Sequence, residues 1–200
     1  MGGSEQFGTN FNLYSYQGKW LAIDLGIGFA DHRLPGVDII LPDIKSVQDL
    51  GDDLAGLVIT HAHEDHVGAV PHLWPSLRCP IYCTKFTAAV LRKKFREFPE
   101  CKDAKIHIIS PDTTSKVGPF TLNYVHVAHS IPDTVSVYVQ TKAGNVVHSG
   151  DWNLDPNPVI CPPTDEEAFR KIGKTGHVLA YVGDSTNAPL DGYSGSETDV

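Results

Sequence analysis

No apolar run in this 200-residue chain approaches the roughly 20 residues that a membrane-spanning helix needs. The first thirty residues carry no long apolar core behind a basic start, so the chain reads as cytoplasmic, with no membrane partner. Met1-Gly2 is followed by Gln6, where a myristoylation start wants Ser or Thr, so no lipid anchor is expected. Cysteine is scarce. Cys79, Cys83, Cys101 and Cys161 lack the C-x-x-C pairs of zinc ribbons and are too few for a disulfide scaffold, so they read as reduced, partly buried thiols. Basic charge is also short: 16 Lys and Arg against 24 Asp and Glu give a formal net charge of -8. That speaks against a broad basic surface for nucleic acid, although two divalent ions would bring about four positive charges to one place. Internal repeats and low-complexity segments are missing too. What remains, 41% apolar and 20% charged, is the composition of one ordinary globular domain.

The most informative stretch is Thr60-His61-Ala62-His63-Glu64-Asp65-His66-Val67-Gly68. It follows directly on Leu57-Val58-Ile59, an apolar run that reads as a short buried strand. Alternation on extended backbone lets His61 and His63 grip one ion, and the turn that follows swings Asp65 and His66 towards a second. Imidazole nitrogen and carboxylate oxygen suit zinc and similar borderline metals, and the lack of cysteine here argues against a thiolate site.

Before this stretch, Phe11 to Tyr16 and Trp20 to Ile23 alternate around Gln17-Gly18 as a β-hairpin. Asp24 at the strand end reads either as a carboxylate orienting a metal-bound histidine or as a turn-forming Asp. Residues 30–42 read as a loop, and Asp43 as the N-cap of a short helix to about Leu54. After it, Val67 to Leu77 reads as a helix interrupted by Pro71 and ended by Pro75, and Ile81 to Cys83 as a strand. Thr84 is placed to cap a helix from Lys85 to Phe98 whose Lys85, Arg92, Lys93, Lys94 and Arg96 form either a solvated face or a phosphate contact.

Ile106 to Ile109 and Phe120 to Val127 read as strands. The second delivers His126 and His129 near its end, and His129, where the strand breaks, is the candidate ligand. A hairpin over Val135 to His148 ends in Ser149-Gly150-Asp151, where the glycine permits the close approach that lets Asp151 reach between two ions. Thr164 with Glu167 reads as a capping box for a helix to about Ile172, and Val178 to Val182 as a last strand running into Asp184-Ser185-Thr186-Asn187.

Taken together, the pattern resembles the metallo-β-lactamase superfamily, through Thr60 to His66, His129 and Asp151. Within it the chain is similar to the ribonuclease J family of the β-CASP group over essentially its whole length. That resemblance rests on Gly2-Gly3 with Gly8 and Asn10, Pro35-Gly36-Val37-Asp38, Pro42-Asp43-Ile44 and His129-Ser130-Ile131-Pro132-Asp133. It rests also on Gly150-Asp151-Trp152 with Asp155-Pro156 and Pro158, and on Asp184 to Ala188. The resemblance implies an α/β (α+β) fold, the amino-terminal part of a metallo-β-lactamase αββα sandwich. Residues 1–190 would form that part, and 191–200 would begin the connection to a β-CASP domain. It implies one zinc on His61, His63 and His129, a second on Asp65 and His66, and Asp151 as the bridge, with Mn2+ or Mg2+ as alternatives to the two Zn2+. A further histidine ligand comes, in the family, from beyond the inserted domain.

The function expected from these residues is metal-assisted hydrolysis of RNA phosphodiesters, exonucleolytic from the 5′ end and endonucleolytic by resemblance. Asp65 or Asp151 would hold or accept the proton of the attacking water. The ligands alone equally allow acyl hydrolysis of a thioester or lactone. A further alternative is a half-domain, inactive by itself, whose exposed apolar surface favours homo-oligomers.

Overall fold

The computed structural model describes residues 8–111, 113–192 and 195–199. Gly2, Gly3, Gln6 and the last residue, Val200, lie outside the described residues. The chain opens with the expected hairpin, β1 (Asn12–Tyr16) and β2 (Lys19–Ile23), followed by a two-strand ladder of β3 (Gly28–Phe29) with β4 (Ile39–Ile40). Then come β5 (Leu54–Ile59), α1 (Glu64–Val67), α2 (Val70–Leu77), β6 (Ile81–Cys83), α3 (Lys85–Lys94) and β7 (Ile106–Ile108). They complete a sheet of order β1-β2-β5-β6-β7, in which β2 to β7 run parallel. Parallel pairing requires crossovers, and the helices of those crossovers cover one face.

The second sheet is built from β8 (Thr114–Val117), β9 (Phe120–His126), β10 (Val135–Thr141) and β11 (Gly144–His148). After α4 (Glu166–Lys174), β12 (Val178–Val182) joins it in parallel beside β11, giving the order β12-β11-β10-β9-β8.

Side-chain alternation sends neighbours to opposite faces of the first sheet. Ala22, Leu57 and Ile59 pack with Val70, Trp74 and Leu77 of α2 and with Ala88 and Leu91 of α3. Leu21, Ile23 and Val58 turn the other way, onto Phe120, Leu122, Tyr124, Val135, Val137 and Val139 of the second sheet. At roughly 25 cal/mol per Å² of apolar surface, these two cores are the main stabilising contribution. They also fix the strand ends: Val135 N–H donates to the Thr60 carbonyl across the sheets at 3.2 Å. The outer layer is thin, because α4 has no buried residue and β12, an edge strand, exposes Leu179 and Tyr181. The helix–sheet–sheet–helix order is therefore present with its last layer reduced to α4. Among the described residues no helix is long and apolar enough to cross a membrane.

Several local expectations are corrected. No helix runs from Asp43 to Leu54. Asp43 Oδ1 accepts from Lys45 N two residues on, which is an Asx turn, and β5 already begins at Leu54. Pro75 lies inside α2 instead of ending it; the Pro71 carbonyl, which a proline four residues later cannot satisfy, accepts from the Cys101 thiol at 3.4 Å. Thr84 precedes α3 without capping it by its side chain, and Phe86 N–H donates instead to Asp133 Oδ2. Helix α3 ends at Lys94, short of Phe98. Asp165, not Thr164, caps α4 by accepting from Ala168 N, because the Thr164 hydroxyl is engaged by Asn153 O and Ala128 N.

Candidate metal centre

The site grows from the tip of β5. Just after β2, Asp24 is fully buried with φ +61°, a left-handed conformation that costs a non-glycine residue on the order of 1 kcal/mol. Its carboxylate is held there by Thr60 N at 2.8 Å, Thr60 Oγ1 at 2.9 Å and His66 Nδ1 at 2.8 Å. Of the two readings of Asp24, orientation of a histidine is the one the geometry supports. Backbone bonds from Leu25 N to His66 O and from Ile27 N to Glu64 O lace the two loops together. Gly26 is demanded by that contact, since a Cβ there would stand 1.5 Å from the Asp65 carbonyl oxygen. On the second sheet Gly150, at φ +60°, presses against the Thr60 side chain and delivers Asp151 over the tip of β5.

Two donor groups converge. The first comprises His61, His63, His129 and Asp151; the second comprises Asp65, His66 and Asp151. His63 Nδ1 lies 3.1 Å from His61 Nε2 and 3.0 Å from His129 Nε2, while Asp151 Oδ2 is 3.8 and 3.6 Å from those two Nε2 atoms. Four ligands about 2.1 Å from a tetrahedral ion are about 3.4 Å apart, so the observed spacings bracket the edges of such a tetrahedron. The other oxygen of Asp151, Oδ1, is 3.1 Å from His66 Nε2, which is 3.4 Å from Asp65 Oδ2. One carboxylate thus faces both groups with one oxygen each. Asn10 Nδ2 adds contacts to Asp65 Oδ2 at 3.3 Å and His66 Nε2 at 3.0 Å.

A single buried carboxylate sets both tautomers. His66 Nδ1–H donates to Asp24, and the His61 Nδ1–H donates to Thr60 Oγ1 at 3.0 Å, whose hydroxyl donates on to Asp24. With its Nδ1–H so engaged, each imidazole has Nε2 directed to the centre as the atom that would bind a metal. Burial, and then the neighbouring imidazoles, hold His61 well below the ordinary histidine range; burial also lowers His63 and His129. All three are neutral donors. Burial alone would lower His66, but Asp24, Asp151 and Asp65 outweigh it and raise that imidazole well above its usual value. Burial likewise opposes ionisation of Asp65 and Asp151, and their bonds to His66 override it. That corner of the site favours positive charge. A divalent cation that displaces the His66 proton meets the same demand.

All six candidate ligands are therefore brought together. His126 is not, for its Nε2 is turned to the Pro162 carbonyl at 2.9 Å. Of the basic residues expected on one helix face, Lys85, Arg92 and Lys93 on α3 and Arg96 just beyond it are exposed, whereas Lys94 pairs with Glu64 of the histidine loop at 2.6 Å. A cavity of about 600 Å³ opens beside the second group and is lined also by His148 and Asp184. The roles of Thr60 and Asn10 escaped sequence reasoning although both lie in quoted motifs. The bond from the Tyr14 hydroxyl to His148 Nδ1, at 2.8 Å and across 134 residues, left no sequence signal.

Residues 20–165 match the family model described as the beta-lactamase superfamily domain. The chain belongs to that superfamily. Three curated members named ribonuclease J are similar to it over its whole length: 43% identical in Sinorhizobium meliloti, 40% in Mycolicibacterium smegmatis and 35% in Helicobacter pylori. The chain spans 36%, 36% and 29% of their lengths. A crystallised protein of unknown function from Enterococcus faecalis superposes with TM-score 0.65 at 18% identity, over 96% of this chain and 50% of that one. The metallo-beta-lactamase fold protein YhfI from Bacillus subtilis gives 0.53 at 17% identity, over 74% and 56%. At such identities these structures speak for the superfamily fold, which the two packed sheets share. The cluster of His and Asp donors fits metal binding by a member of this superfamily.

Proposed function

We propose that the chain is the amino-terminal part of a ribonuclease J-like enzyme that hydrolyses RNA phosphodiesters with two zinc ions. The observation that carries the proposal is Asp151, which presents one oxygen to each of two donor groups in a chain 43% identical to a ribonuclease J along its whole length. His61, His63 and His129 would hold one ion, Asp65 and His66 the other, and Asp151 both. When bound, such ions make water a nucleophile at neutral pH and offset charge gathering on a phosphate. Asp24, through Thr60 and directly, keeps His61 and His66 in the tautomers that can bind. Asp65 and Asp151, both ionised at the cavity edge, take up or orient the proton of the attacking water. No side chain needs to serve as nucleophile.

The second donor group has three members among the described residues, and the apolar face around Leu179 and Tyr181 is exposed. Both features fit residues 1–190 as a metallo-β-lactamase part completed by later segments, with 191–200 leading to a β-CASP domain. The test is cleavage of 5′-monophosphorylated RNA by the full-length protein, with metal counted by elemental analysis. His63→Ala is expected to lose metal and all hydrolysis. Turnover of a thioester or lactone without RNA cleavage would overturn the RNA assignment.

A further inference from the structure

His148 is used by nothing above, yet it is buried at the end of β11 and lines the cavity beside Asp24, His66 and Asp151. Its Nδ1 lies 2.8 Å from the Tyr14 hydroxyl, which comes from the opposite sheet and has no other partner among the described residues. Burial, before any neighbouring charge, pushes the imidazole down to about 4, so it is neutral at working pH. A neutral imidazole carries one proton, and a tyrosine hydroxyl whose sole partner is Nδ1 satisfies itself by donating. The proton must then sit on Nε2. That nitrogen has no partner among the described residues and is not among their sealed, unsatisfied polar atoms, which leaves it open to the cavity. The carboxylates along the same wall, Asp24, Asp65, Asp151 and Asp184, are acceptors, and the further titratable group there, His66, is turned to Asp24, Asp65 and Asp151.

We infer that Tyr14 locks His148 as a fixed, uncharged hydrogen-bond donor whose Nε2–H takes a phosphate oxygen of the substrate. The class of ligand rests on the phosphodiesterase function proposed above; the tautomer does not. A neutral donor suits this place because it adds no cation to compete with metal ions, and because its geometry is set before the ligand arrives. Tyr14 acts through His148 and is a positioning residue.

Long-range proton–nitrogen correlation spectra of the ¹⁵N-labelled chain, with and without zinc, read the tautomer directly. The Nε2–H form is expected for His148 in both samples, and a mixture of forms in Tyr14→Phe, which keeps the ring and removes only the hydroxyl. Inorganic phosphate and dimethyl phosphate, added separately to the zinc-loaded chain, distinguish a terminal from an internal phosphate as the source of the oxygen. At least one should shift the His148 Nε2–H signal. His148→Leu should weaken that ligand by about tenfold or more, as loss of a bond to a charged group does, while His148→Gln, which keeps an N–H near the same point, should retain most of the affinity. An Nδ1–H tautomer in the unaltered chain, an unmoved His148 signal with both ligands, or equal affinity in His148→Leu overturns the inference. A chain that takes up no zinc counts against the proposed function instead, and the metal-free tautomer still stands or falls alone.

Discussion

Replacing Asp24 with Asn changes one atom and removes one charge, yet it should disable the metal centre. The carboxylate accepts at both oxygens: Oδ1 from Thr60 N at 2.8 Å, and Oδ2 from Thr60 Oγ1 at 2.9 Å and His66 Nδ1 at 2.8 Å. An amide has only one acceptor. If its NH2 faces His66, that imidazole must accept at Nδ1 and carry its proton on Nε2, where the lone pair is needed. If the NH2 faces Thr60 instead, a buried backbone N–H meets another donor. Either arrangement leaves a conflict costing on the order of 1–3 kcal/mol of folding stability. Loss of a group that orients a metal-bound histidine typically costs about 10–100-fold in metal affinity. Competition with a chromophoric chelator measures the affinity, and urea denaturation of the metal-free chain measures the stability. An Asp24→Asn chain that binds zinc as tightly as the parent would refute the role given to Asp24.

His129→Ala should lower metal content and His126→Ala should leave it unchanged, by elemental analysis of the purified chains, because only His129 faces His63. Gly26→Ala places a methyl 1.5 Å from the Asp65 carbonyl oxygen, backbone against side chain, and should destabilise the metal-free fold by about 3 kcal/mol or more in a denaturant titration. Stability should also fall with acid. His148 protonates near 4 in the folded chain against 6.5 unfolded, so below 6.5 the unfolded state gains protons first. The contribution is undiminished above pH 6.5 and is lost progressively between 6.5 and 4, by roughly 3 kcal/mol in all. His148→Gln should flatten that part of the pH profile of the metal-free urea midpoint, and an unchanged slope would contradict the burial of a neutral imidazole.

What the sequence disclosed follows from how local each signal is. Thr60 to His66 declare themselves because six donor-rich residues follow one apolar strand, whereas in the apolar run Leu57 to Ile59 both faces are buried, and packing alone decides that Val58 meets the second sheet. His129 and Asp151 were legible as polar groups at strand ends, but only packing of the two sheets joins them to the first cluster. Asp24 could not be decided locally, since its partners Thr60 and His66 lie 36 and 42 positions away. The helix expected from Asp43 fails because an Asx turn satisfies the same carboxylate, and Ile44 and Val47 are buried without helical continuation. Inside α2, Pro75 leaves the Pro71 carbonyl without its helical donor, and the Cys101 thiol takes that place, a partner no helix rule anticipates. The Tyr14–His148 pair is invisible for the same reason: it exists only where the sheets face each other.

Crystals of the chain grown with zinc and measured at the zinc absorption edge test the metal centre most directly. Two anomalous peaks are predicted, one among His61, His63, His129 and Asp151, the other among Asp65, His66 and Asp151. A single peak clear of Asp151, or zinc bound only elsewhere on the surface, would contradict a centre bridged by that carboxylate.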